Sequence, residues 1–239
     1  MKRIPLIIAL FLTAHLSFSQ KNWFSVYTDS ASLVQDGGTI TKAFIADIKK
    51  IKPGITLDVT TILNTTPYLI YFDGQGAVKT ANLPIWTQVI PPQQQFFYEV
   101  AGGEAAGKAA FGLFFNGFYL PHELGHGVEE AIRGNLKGSY EEEYFANTVA
   151  MLWWRKQGRE KELKACYDAA KTMFAKLPNP VPAGMTIEAY FGKNYEQASQ
   201  NPYVYGYMQF KQFIQIYEDK QLPDFNGFMQ KYFAEHQKK

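Results

Sequence analysis

The sequence predicts an α+β fold, with a small mixed sheet near the N-terminus and helices through the remainder. Three observations predict it. Ile55-Thr-Leu-Asp-Val-Thr-Thr-Ile62 alternates apolar and polar residues and is β-branched, the pattern of a half-buried strand. Tyr68-Leu-Ile-Tyr-Phe72 is a second strand-like run, and the turn residues Asp73-Gly74-Gln75-Gly76 suit a hairpin with 77–83. From Gly102 onward the apolar spacing becomes helical.

At 239 residues the chain suits one large domain or two small ones. With 46% hydrophobic and 19% charged residues it can build a sizeable core, which excludes a disordered chain. Residues 1–19 read as a secretory signal. Lys2 and Arg3 form the charged start, 4–18 is mostly apolar, and Ser17 and Ser19 stand at the offsets for cleavage before Gln20. The stretch is too short for a transmembrane helix, and no other segment is long and apolar enough for one. The expected mature chain, 20–239, is one domain with a mixed part (20–102) and a helical part (103–239), exported to the periplasm or beyond. The signal holds two of the 24 basic residues and none of the 22 acidic ones, so its removal leaves 22 against 22. That balance offers no electrostatic case for nucleic acid or an anionic membrane as partner.

Thr39 to Ile51 has apolar positions at 44, 45, 48 and 51, an amphipathic helix ended by Lys52-Pro53-Gly54. Pro91-Pro92 interrupts the chain after the hairpin, and Gln95 to Val100 fits a strand or a short helix alike. Glu104 to Phe115 is helical. Asn116-Gly117 breaks it, or Asn116 caps the next helix, with Pro121 tolerated only near that helix's first turn. This next helix is expected from about 118 or 121 to Arg133, stopped by Gly134-Asn135. Further helices are expected over 139–156, 159–175, 203–218 and 223–236, with a proline-rich loop at 176–184. Cys166 is the only cysteine, so an intramolecular disulfide is impossible, and its apolar helical setting marks it as a small buried hydrophobe.

Pro121-His-Glu-Leu-Gly-His-Gly127 carries the chemistry. Histidines four apart on a helix lie about 40° apart around its axis, one turn up, so both imidazoles reach one metal ion. Glu123 points to a neighbouring side, where its carboxylate can touch a water on that ion. This H-E-x-x-H arrangement is read as Zn2+ plus a general base. A catalytic zinc has three protein ligands and one open position. The only other histidine after the signal is His236, near the C-terminus. The metzincin extension fails, because Glu129 and Ile132 stand where its Gly and His would be.

Downstream lies Glu141-Glu-Glu-Tyr-Phe-Ala-Asn147, with Glu143 and Asn147 four apart. Over about 121–151 the chain resembles the gluzincins, the thermolysin-like zinc metallopeptidases. The resemblance implies a zincin-like fold with the metal in a cleft between sheet and helices. It implies Glu143 as third ligand to one Zn2+ beside His122 and His126, and Asn147 as the residue that orients a liganding histidine. Glu142 is the nearest rival ligand, but the residue four beyond it is Ala146, which orients nothing. Glu141 and Glu142 also suit a solvated acidic helix start. Glu129 is expected past the metal, behind the ligands or at the surface.

The implied activity is hydrolysis of a peptide or protein substrate. Glu123 takes a proton from the zinc-bound water and passes it to the leaving amine. A further donor is expected at the oxyanion, and Tyr205 is the candidate because it lies off the stripe of Tyr203, Tyr207, Phe210 and Ile214. The same tyrosine also suits core packing. The alternative reading is a non-catalytic exported protein that keeps the scaffold for binding or structure. Glu123 between the two histidines favours the enzyme.

Overall fold

The computed structural model describes residues 23–134 and 136–236. The signal segment and Asn135 lie outside them. No helix among the described residues is long and apolar enough to cross a membrane.

The architecture is a coarse α+β arrangement, mostly helical, with one three-stranded mixed sheet. The order is α1 (Ser30–Ile51), β1 (Val59–Leu63), β2 (Tyr71–Asp73), β3 (Lys79–Leu83), α2 (Pro91–Ala101), α3 (Glu104–Leu113), α4 (Tyr119–Arg133), α5 (Tyr140–Lys156), α6 (Glu160–Phe174), α7 (Ile187–Ser199), α8 (Pro202–Glu218) and α9 (Phe225–Glu235). The sheet runs β1-β3-β2, with β1 parallel and β2 antiparallel to β3, so β2 is an edge strand.

Helix α1 starts nine residues earlier than the periodicity suggests, because Asp29 caps it by accepting from the Ala31 and Ser32 amides. Gly37 sits inside it for packing. A Cβ there would lie 2.5 Å from Leu83 Cδ1 and 2.9 Å from Thr61 Cγ2, so glycine lets the helix rest on the sheet. The strand alternation is real over 55–62, with Ile55, Leu57, Val59 and Thr61 buried, but ladder pairing begins only at Val59. Tyr68 and Leu69 are not strand. Asn64 Nδ2 donates to both of their carbonyls and holds them in a loop, leaving β2 three residues long. The expected β2–β3 hairpin forms. Pro91-Pro92 starts α2 rather than merely interrupting the chain, since the first helical positions need no amide donor. Gln95 to Val100 is therefore helix.

Asn116 does break the regular helix, as a kink with φ −108° and ψ 24°, and does not cap α4. Residues 114–118 form a π turn that joins α3 directly to α4. Such a turn frees carbonyls, as does Pro121, which cannot donate to Gly117. Other segments take them up. Trp23 Nε1 donates to the Gly117 carbonyl at 3.1 Å, the Phe24 amide to Asn116 at 2.9 Å, and Trp154 Nε1 to Phe118 at 3.2 Å. The Asn116 side chain, fully buried, donates to the Pro84 carbonyl at 2.9 Å. The irregular entry to α4 is thus pinned by the N-terminal segment, by α5 and by the end of the sheet.

Helices α4 and α5 pack closely because Gly125 faces Ala146, where a Cβ would come to 3.2 Å from the Ala146 Cα. Gly134, at φ 89°, ends α4 as the sequence suggests. Ser139 caps α5 by accepting from the Glu142 amide at 3.1 Å. Helix α7, capped by Thr186, was not expected from the sequence; it packs on α5 and α8. Cys166 is buried, and burial pushes its thiol up, away from reactivity.

Candidate metal centre

The site forms where α4, α5, α7 and α8 meet the outer edge of β2. Helix α4 presents His122 and His126 one turn apart, and the first turn of α5 presents Glu143. One ligand atom from each of the three lies within 4.8 Å of the other two. His122 Nε2 is 3.1 Å from His126 Nε2 and 3.2 Å from Glu143 Oε2, and His126 Nε2 is 3.8 Å from Glu143 Oε1. Ligands about 2.0–2.1 Å from a tetrahedral ion stand roughly 3.3 Å from one another. The spacing therefore fits one small divalent ion.

The hydrogen bonds behind the site fix the tautomer of His122. Glu143 and the Tyr140 carbonyl can only accept, so they take the amide nitrogens of Gln209 and Gln212, at 2.6 and 3.0 Å. The oxygens of both glutamines then face Asn147, whose amide nitrogen donates to them at 2.8 and 2.9 Å. That leaves Asn147 Oδ1 facing His122 Nδ1 at 2.9 Å, so Nδ1 carries a proton and, in the neutral imidazole, Nε2 is the nitrogen free to offer a lone pair towards Glu143 and His126. Asn147, Gln209 and Gln212 are all nearly or fully buried.

A lone pair and a carboxylate converging in a buried space call for a cation. Burial alone would lower His126, but Glu143 facing it overrides this and lifts it to about 9. Burial likewise pushes Glu143 up, yet the two histidines outweigh it and hold Glu143 well below the usual carboxylate range. A proton or a metal ion meets the same demand. The donor set of two imidazoles and a carboxylate suits several divalent ions.

Glu123 is buried beside this group. Its carboxylate accepts from the Phe72 amide on β2, and burial raises its pKa against the pull of His122 and His126. Tyr195, on α7, donates to Glu143 Oε1. Its hydroxyl proton is thereby committed, so Tyr205 donates to the Tyr195 oxygen, and burial pushes both phenols up. Tyr205 therefore lines the site instead of only packing. Tyr195, Gln209 and Gln212 were missed by the sequence reading. The Thr186 cap and the 187, 191 spacing were the available signal for α7.

One expectation changes. Glu142 is not a solvated helix start: it is buried and lines the cleft, while Glu141 is exposed. It is also outside the ligand group. Of the two placements expected for Glu129 the surface one falls away: it is buried, with Arg133 donating to one of its oxygens.

The cleft in front of the group is about 350 Å³, walled by residues 70–75 on one side and by α4, α5, Tyr195 and Tyr205 on the other. Fold and site together define a mainly helical α+β protein with a buried His-His-Glu group able to hold a metal. Comparison with protein-family models, with curated proteins and with solved structures gives no match for the chain.

Proposed function

We propose that the protein is an exported zinc-dependent hydrolase, a zincin-like peptidase akin to the gluzincins. One observation carries the reading: Glu123 lies buried beside three converging ligand atoms that leave one face open to a cleft. A structural metal site would be closed by a fourth ligand and would have no use for a neighbouring base.

When bound, a zinc ion supplies the Lewis acid that makes a water nucleophilic near neutral pH. The chain's own groups do the rest. Glu123, raised by burial, accepts a proton from the attacking water and returns it to the leaving amine. Tyr205 donates to the developing oxyanion by exchanging its bond to Tyr195 for one to substrate. Tyr195 and Gln209 hold the Glu143 carboxylate in place, and Asn147 holds His122. The outer edge of β2 borders the cleft and no strand pairs with it, so an extended peptide can lie along it, exchanging the bond between the Phe72 amide and Glu123 for one of its own.

The test is a peptide-library digest, read by mass spectrometry, with zinc-loaded wild type and Glu123→Gln. Cleavage by the wild type should fall ~10²–10⁴-fold in the variant, with zinc content unchanged. Equal cleavage by the variant would remove Glu123 as the base. No cleavage by the zinc-loaded wild type would remove the peptidase reading.

A further inference from the structure

The cleft beside the ligand group has a one-sided charge. Asp73, Glu123, Glu130, Glu142 and Glu143 line it, and no lysine or arginine among the described residues does. A bound dication balances Glu123 and Glu143. Lys79 balances Glu130, Nζ to Oε2 2.7 Å, and holds its carboxylate against Gly74, where a Cβ would come within 2.6 Å of it.

Asp73 and Glu142 are left. Neither forms a salt bridge among the described residues. Asp73 accepts only the Gln75 amide of its own turn, at 2.9 Å. Glu142 is the sharper case. It is 6% exposed, and its Oε2 has no hydrogen-bond partner. Arg133 and the Tyr232 hydroxyl are within electrostatic reach of it, but the guanidinium donates to Glu129 and the hydroxyl makes no hydrogen bond. A carboxylate so nearly removed from water favours a cation or a donor that the protein itself does not supply.

We propose that the cleft selects cationic peptides, with Glu142 as the anchor for a substrate lysine or arginine side chain and Asp73 adding to the same field. The proposal rests on the peptidase reading and names its substrate class. A guanidinium or ammonium would give Glu142 the charged donor it lacks, and acidic peptides would be repelled from the mouth of the cleft.

The experiment uses zinc-loaded Glu123→Gln protein, so that peptides persist, and fluorescence anisotropy with labelled peptides of equal length. One set bears lysine and arginine, one is neutral and one bears glutamate. The cationic set should bind at least ~10-fold tighter than the neutral set, and the acidic set weakest. Raising the salt should narrow the gap. Adding Glu142→Gln should remove most of it while zinc content stays the same, and Asp73→Asn, at the end of β2, should narrow it less. Equal binding of all three sets would overturn charge selection alone. A gap that survives Glu142→Gln intact would overturn the anchor. Binding of no peptide at all would overturn the peptide reading, and this proposal with it.

Discussion

The wall behind the ligand group and the wall in front of it are built from different materials. Behind, Asn147, Gln209, Gln212 and Tyr195 spend their hydrogen bonds on one another, on His122 and Glu143 and on the Tyr140 carbonyl, and the three amides are buried. In front, residues 70–75 and Glu142 leave a strand edge and carboxylates without cations. The rear wall holds His122 and Glu143 in position before any metal arrives, while His126 Nδ1 has no partner. The front wall keeps unmet demands for something from outside. A closed network specifies geometry, whereas an open one specifies a partner.

The largest effect that would break this contrast lies at its hinge. Glu143→Ala should take the protein from about one bound zinc per chain to none, measured by atomic absorption after dialysis. Asn147→Ala should act next. It strips the acceptor from His122 Nδ1 and leaves two buried glutamine oxygens without a donor, so zinc affinity should fall ~10–100-fold. Unfolding should cost about 1–3 kcal/mol less, read by chelator competition and by urea denaturation. If Asn147→Ala binds zinc like the wild type, the rear wall is packing and not positioning.

The support of the front wall is tested by Gly37→Ala. The added methyl would press on Leu83 and Thr61 under the sheet, which should destabilise the fold by about 1–3 kcal/mol and leave the three ligands in place. The smallest effect lies outside both walls, at Asp47. Burial alone would raise its pKa, but hydrogen bonds from Lys50 and Lys156 outweigh this and hold it below the ordinary value. A carboxylate depressed in the folded state adds stability above its unfolded pKa of about 3.9 and loses it as the pH falls through the folded value. Asp47→Asn should therefore be less stable by roughly 1 kcal/mol or less at pH 7 and should lose less stability than wild type on acidification, read by urea denaturation across the pH range.

The two walls were not equally legible in the sequence. His122, Glu123 and His126 can be placed from spacing alone, because a helix converts a separation of four into one face. Glu143 and Asn147, four apart on the next helix, are singled out only by what the resemblance to the gluzincins implies. Gln209 and Gln212 could not be found this way. They reach Asn147 from 62 and 65 residues away, and a glutamine on a helix reads as solvated until tertiary contact buries it. Tyr195 was hidden with α7, whose apolar positions are few and whose neighbours are proline and glycine. In the fold, Pro91-Pro92 misled because residues that break a helix interior also suit a helix start. The alternation was right about burial over 55–60, wrong at Thr61, which is buried, and Ile62, which is exposed, and silent about which residues pair.

The proposed function requires that His122, His126 and Glu143 together hold one divalent ion. The direct measurement is zinc stoichiometry and affinity for wild type, Glu143→Ala and Glu142→Ala side by side. One ion per chain in wild type and Glu142→Ala, with none in Glu143→Ala, is the predicted result. No zinc in the wild type, or zinc retained by Glu143→Ala and lost from Glu142→Ala, would contradict it.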